Sequence, residues 1–143
     1  MRTSIATVCL SGTLEEKMRA AAAAGFDGIE VFEPDLVVSD SSPEQLRDLA
    51  AELDLSLDMY QPFRDGVEVA PEAFPDSLRR LRVKCELMNR LGTSVLLVCS
   101  NVATGVLKDD AAIAEQLRAA GDVAAEYGVD LAYEALAWGA HVN

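Results

Sequence analysis

The stretch Leu91-Gly92-Thr93-Ser94-Val95-Leu96-Leu97-Val98-Cys99 carries the clearest statement of fold in the chain. It closes a helical pattern on a glycine and enters an apolar run within three residues. A glycine just past a helix end takes the left-handed cap conformation without a Cβ penalty. The run that follows does not alternate. Consecutive apolar positions describe a strand covered on both faces, as in a parallel sheet flanked by helices. Two further junctions use the same grammar: Ala24-Gly25-Phe26-Asp27-Gly28-Ile29-Glu30 and Tyr127-Gly128-Val129-Asp130-Leu131.

Five short apolar runs, at residues 5–10, 28–33, 55–63, 94–100 and 131–136, alternate with four helical patterns. The helix starts are marked. Thr13 with Glu16, and Ser42 with Gln45, have the spacing of capping boxes. Pro43 falls at a first helical position, where its missing N–H costs nothing. Phe74, Leu78, Leu81, Cys85 and Met88 recur at helical spacing, as do Ile113, Leu117, Ala120 and Ala124. Both stripes are expected to face a sheet.

The order β1α1β2α2β3α3β4α4β5 is an α/β pattern. It suits either an open five-stranded sheet or a closing barrel. An open sheet of this kind would end with a further helix, whereas residues 137–143 carry no helical pattern. A complete barrel needs about 250 residues and eight units. The favoured expectation is therefore a truncated (β/α)8 barrel, with residues 1–143 forming the N-terminal half of a single domain and the C-terminal half absent.

Composition narrows the partners. Half of the 143 residues are hydrophobic, 25% are charged and 6% are aromatic, and the net charge is −12. Such a surface repels nucleic acid and anionic membranes at long range. The N-terminal apolar stretch before Ser11-Gly12 is too short for a signal peptide or a membrane span, which points to the cytoplasm. Cys9, Cys85 and Cys99 form no CxxC pair and read as small buried hydrophobes in a reducing compartment.

In either architecture functional groups gather at the C-terminal ends of strands. The polar residues there are Glu30 and Glu33, then Asp58, Tyr60, Gln61 and Arg64, then Ser100 and Asn101, and finally Glu134, Trp138, His141 and Asn143. Glu134 stands inside Leu131-Ala132-Tyr133-Glu134-Ala135-Leu136. A carboxylate buried in such a run must be ion-paired, protonated or bound to a cation. Oxygen ligands at strand ends suit Mg²⁺ or Mn²⁺. Glu30 shares that logic as a structural partner or as support for a neighbouring group, while Glu33 reads as loop surface. Arg64 can grip a substrate carboxylate through two parallel hydrogen bonds, or pair with Asp65 on the surface. His141 is the sole histidine, and nothing nearby assigns it a role. No glycine-rich phosphate loop, nucleophile elbow or HExxH is present.

Five segments together resemble a known family: Leu10-Ser11-Gly12-Thr13-Leu14-Glu15-Glu16-Lys17, Ala23-Ala24-Gly25-Phe26-Asp27-Gly28-Ile29-Glu30, Gln61-Pro62-Phe63-Arg64-Asp65, Leu97-Val98-Cys99-Ser100-Asn101-Val102, and Tyr133-Glu134-Ala135-Leu136-Ala137-Trp138-Gly139-Ala140-His141-Val142-Asn143. They resemble the bacterial 3-dehydroshikimate dehydratases, members of the xylose isomerase-like sugar phosphate isomerase/epimerase superfamily of TIM barrels. The likeness runs along the whole chain. Ala140 and Pro34 depart from the pattern.

The resemblance implies a divalent metal (Mg²⁺, Mn²⁺ or Co²⁺) held by four side chains. The first matches Glu134, and the others come from strands beyond Asn143. It also implies a small-molecule carboxylate substrate gripped by Arg64, with further contacts from the loop containing His141 and Asn143. Tyr60, Gln61, Ser100 and Asn101 join the substrate-binding candidates by their strand-end positions. The implied reaction is metal-dependent dehydration of 3-dehydroshikimate to protocatechuate, with the catalytic base unassigned. The alternatives are a sugar phosphate isomerase or epimerase of the same superfamily, or a non-catalytic half-barrel that self-associates through the edges of β1 and β5.

Overall fold

Thr13 and Ser42 do what their spacing predicts. Each hydroxyl accepts the N–H three residues on, and Glu16 and Gln45 accept the N–H of their cap residue in return. In the computed structural model, which describes residues 1–103 and 106–137, these caps open α1 (Leu14–Ala23) and α3 (Pro43–Glu52). The other elements are β1 (Ser4–Ala6), β2 (Gly28–Phe32), α2 (Glu33–Val37), β3 (Ser56–Phe63), α4 (Phe74–Leu91), β4 (Val95–Cys99), α5 (Asp110–Ala125) and β5 (Asp130–Glu134). The strands follow chain order in the sheet, β1-β2-β3-β4-β5, and β1, β2 and β3 pair in parallel. Gly25, Gly92 and Gly128 close their helices at φ of +82°, +85° and +69°. The βα grammar of the sequence is thus the architecture of the chain.

Two boundaries differ from the expected ones. The first run was expected to be a strand over residues 5–10, yet pairing stops at Ala6 and Thr7–Cys9 form a 3-10 turn. The cause is Thr7, which is buried and whose hydroxyl accepts the Phe32 N–H at 2.9 Å. That side chain takes the place of the next rung of the ladder. The second difference is α2, a short helix that the periodicity did not reveal. Pro34 in its first turn pre-sets the helical φ. Glu33, expected as loop surface, instead opens this helix.

The chain divides into two compact units, Met1–Gln61 with Leu87–Val95, and Pro62–Glu86 with Leu96–Asn143. In the first, Leu14, Met18, Ile29, Val31, Leu46, Met88 and Leu91 form the buried core. Lys17, 7% exposed, reaches both carboxylate oxygens of Asp35 at 2.8 Å and ties α1 to α2. In the second, Phe63, Leu81, Cys85, Leu96, Val98, Ile113, Ala120 and Ala124 are buried, while Phe74, Leu78 and Leu117 of the two stripes are half-buried. Burial pushes the Cys85 thiol up to about 11, so it behaves as a hydrophobe. Cys9 departs from the expectation for the cysteines, because it lies on the 3-10 turn and is exposed. No described helix is long and apolar enough to cross a membrane.

The first unit also contains a pH-sensitive surface clasp. Arg90 donates from Nε and Nη2 to the two oxygens of Glu44, at 2.7 and 3.1 Å. That hydrogen-bonded pair lowers the Glu44 carboxyl from its ordinary 4.5 to about 2. A depressed acid contributes stability above its unfolded pKa and loses it as pH falls through the folded one. The clasp is therefore intact above pH 4.5 and lost on acidification toward about pH 2. Glu44→Gln is expected to remove this part of the acid-unfolding curve, and added salt to weaken it, because the pair is solvent-exposed.

Candidate functional site

At the end of β3 the first unit places two candidates on opposite faces. Tyr60 is fully buried, and its hydroxyl donates to Glu33 Oε1 at 3.2 Å. Burial, followed by the adjacent Glu33 charge, raises the phenol well above its ordinary value, so Tyr60 acts as a fixed hydrogen-bond donor. Gln61 is half-buried, and its side-chain N–H donates to Glu30 Oε2 at 2.9 Å. Glu30, for which the sequence left two roles open, is thus the partner of Gln61.

Asp58 does not join this group. It bonds Arg2 at 2.9 Å and Ser56 at 2.6 Å, at the end where β3 begins. Ends of that kind in βα folds carry stability rather than chemistry.

In the second unit the chain turns sharply after β3. Gly66 lies under the Phe63 ring, where a Cβ would come within 2.1 Å of a ring carbon. Arg80 of α4 donates to the carbonyls of Arg64 and Asp65 at 3.2 and 2.7 Å and stacks over Phe63 at 5.4 Å. These contacts fix the backbone of Arg64 and leave its side chain exposed. Among the ion pairs of the described residues, none joins Arg64 to Asp65.

Arg64 and Glu134 meet electrostatically at Cys99. The thiol lies 3.9 Å from Glu134 Oε2. Burial raises its pKa, the Arg64 charge opposes that shift, and Glu134 adds to it. A cation and an anion thus flank one buried thiol.

Glu134 itself corrects an expectation. The sequence argument needed it buried, and it is exposed. The reason is its place on β5, the last strand of the sheet order, whose residues run exposed, intermediate, intermediate, exposed, exposed. The cost of desolvation therefore gives no reason for a cation here. What remains is an accessible carboxylate at the C-terminal end of a strand.

Ser100 and Asn101 turn out to be committed to the backbone. Ser100 Oγ accepts the Leu136 N–H, and Ser100 N–H donates to the Glu134 carbonyl, both at 2.9 Å. Asn101 is 4% exposed. Its side chain donates to the Val67 carbonyl at 3.4 Å and accepts the Ala103 N–H at 2.9 Å. Both residues shape the chain beyond β4.

Sequence reasoning missed Glu68. It is fully buried at a left-handed φ of +58°. Its Oε2 accepts the Asn101 N–H at 3.1 Å, and its Oε1 accepts from the Tyr133 hydroxyl. Burial, then this carboxylate, raises the Tyr133 phenol above its ordinary range. The signal was available: Val67-Glu68-Val69 sets a carboxylate between two valines, the pattern that singled out Glu134.

Trp138, His141 and Asn143 lie outside the described residues. Among those described, no group of three or more His, Cys, Asp or Glu side chains could hold a metal ion. The described donors alone do not make a metal centre; Glu134 offers one oxygen ligand.

Successive parallel βα units, with polar side chains at their C-terminal strand ends, define the (β/α) barrel class. The chain belongs to the xylose isomerase-like TIM barrel family, which matches residues 18–143. A curated protein named 3-dehydroshikimate dehydratase, from Pseudomonas aeruginosa, is 50% identical over all 143 residues, which make up 23% of its length. A solved structure described as a xylose isomerase-like TIM barrel/4-hydroxyphenylpyruvate dioxygenase fusion protein superposes with a TM-score of 0.97 at 48% identity, over 100% of this chain and 23% of that one. The chain thus spans less than a quarter of these relatives. A more distant structure, the IolI protein with a bound zinc atom, has a TM-score of 0.81 at 16% identity, covering 95% of this chain and 52% of that one. At that identity it speaks to the fold.

Proposed function

We propose that the protein carrying this segment dehydrates 3-dehydroshikimate to protocatechuate in the cytoplasm. The observation that carries the reading is the 50% identity, across the entire chain, to a protein named for that reaction. The strand-end chemistry agrees with it. Arg64 presents an exposed guanidinium on a backbone pinned by Arg80. A planar fork of N–H donors binds a substrate carboxylate through two parallel bonds and fixes the orientation of the ring. Gln61 supplies a fixed polar contact at the end of β3, whereas Tyr60, fully buried on the other face, spends its hydroxyl on Glu33. Glu134, accessible at the end of β5, is the ligand this segment contributes to a divalent cation, with the remaining donors outside the described residues. When bound, such a cation supplies Lewis-acid polarisation of the substrate ketone. The bound zinc in a protein of the same fold supports that role. The outer edges of β1 and β5, at the two ends of the sheet order, support self-association of the isolated chain.

The full-length protein, purified and supplied with Mg²⁺, Mn²⁺ or Co²⁺, is expected to convert 3-dehydroshikimate to protocatechuate, followed by chromatography. No product with any of the three metals, or ketose interconversion in its place, would overturn the assignment.

A further inference from the structure

We propose that Glu30 is a positioning residue that locks the Gln61 amide with its oxygen outward, making Gln61 a reader of substrate hydroxyl groups. The inference rests on the dehydratase reading and deepens it. Glu30 and Gln61 occupy adjacent parallel strands, with Phe32 opposite Gln61 and Glu30 opposite Met59 in the register. They are therefore diagonal neighbours on one face of the sheet. That face is the more open one. Glu30, Phe32, Met59 and Gln61 are half-buried, whereas Ile29, Val31 and Tyr60 on the other face are no more than 1% exposed.

The chemistry of the pair fixes its polarity. An amide has one end that donates and one that accepts, and a carboxylate has only acceptors to offer. With Gln61 Nε2 held 2.9 Å from Glu30 Oε2, turning the amide over would set oxygen against oxygen. The amide nitrogen thus belongs to Glu30, and Oε1 is the atom left for a ligand. Among the described residues nothing donates to it. An acceptor in that position calls for a donor. Of the groups on 3-dehydroshikimate, the hydroxyls can donate, while the ketone and the carboxylate cannot. The Gln61 amide oxygen therefore selects for a hydroxyl.

The test is a double-mutant cycle in the full-length protein. Glu30→Leu is expected to raise KM for 3-dehydroshikimate about tenfold, the scale of one lost hydrogen bond, with kcat changed less than about threefold. Gln61→Met is expected to give the same KM, and the double variant to be no worse than Gln61→Met, because Glu30 acts only through Gln61. Glu30→Gln, whose amide oxygen can still accept, is expected to restore most of the loss. An unchanged KM in Glu30→Leu, or additive losses in the double variant, would overturn the proposal. A wild-type protein that forms no protocatechuate defeats the dehydratase reading instead. The Gln61 side-chain amide resonances then report orientation without turnover. A downfield shift that disappears in Glu30→Leu supports the lock, and identical resonances in the two proteins overturn it.

Discussion

Glu134→Ala in the full-length protein is expected to reduce protocatechuate formation and divalent-metal affinity by roughly 10²-fold or more, while leaving stability within about 0.5 kcal/mol of wild type. The two halves of this expectation come from the same observation. Glu134 is exposed on the last strand of the sheet order, so its side chain contributes little packing. Under the proposed function it supplies a metal ligand, and even partners outside the coordination sphere typically change affinity by about 10- to 100-fold. The measurements are Mn²⁺ titration calorimetry, kcat and thermal unfolding on one preparation. A third readout needs no metal. Glu134 helps to raise the Cys99 thiol pKa, although burial is the larger cause. Its removal should therefore lower the Cys99 thiol pKa, read as thiolate absorbance in a pH titration. Wild-type turnover and metal affinity in Glu134→Ala would remove Glu134 from the proposed centre.

The order of βα units was legible because it depends on local chemistry. Capping boxes at Thr13 and Ser42, and glycines at 25, 92 and 128, act within one turn of the chain. The failures have a different origin. The early end of β1 depends on a bond from Phe32 to Thr7, 25 positions away in sequence, and no periodicity encodes it. The commitment of Asn101 depends on Val67 and Glu68, which a loop returns to it.

The site was legible in its strand-end positions and not in its burial. The same argument about a carboxylate in an apolar stretch was applied at Glu134, where the strand lies at the end of the sheet and the side chain meets solvent. Glu68, which the sequence reading passed over, is the carboxylate that is buried, because a left-handed loop residue turns the acid inward. Flanking hydrophobicity reports whether a segment is covered; which side chains lose solvent depends on which face has a neighbour.

Glu68 should accordingly be a costly replacement in the second unit. In Glu68→Ala the buried Asn101 N–H and the Tyr133 hydroxyl both lose their acceptor. A buried polar group left without a partner costs about 1–3 kcal/mol. Tyr133 is 40% exposed and can recruit water. The Asn101 N–H belongs to a residue only 4% exposed and has no such recourse. A total near 3 kcal/mol follows, equivalent to about a hundredfold faster hydrogen exchange at the Asn101 amide if that amide opens with the unit. Tyr133→Phe removes one hydrogen bond and should cost only about 1 kcal/mol.

Glycine separates the carboxylate's contribution from that of the backbone. At φ +58° any residue with a Cβ carries left-handed strain, about 1–2 kcal/mol, and glycine does not. Glu68→Gly, although it deletes more atoms, should therefore be no more destabilising than Glu68→Ala. The expected order of Asn101 exchange rates is wild type slowest, Tyr133→Phe next, and Glu68→Ala at least as fast as Glu68→Gly. An Asn101 amide as protected in Glu68→Ala as in wild type would mean that the carboxylate does not hold β4 and β5 together. Tyr133 and Glu134 are adjacent on β5, so the same loosening should reach the candidate ligand: Glu68→Ala should also lower metal affinity in the full-length protein, and by less than Glu134→Ala does.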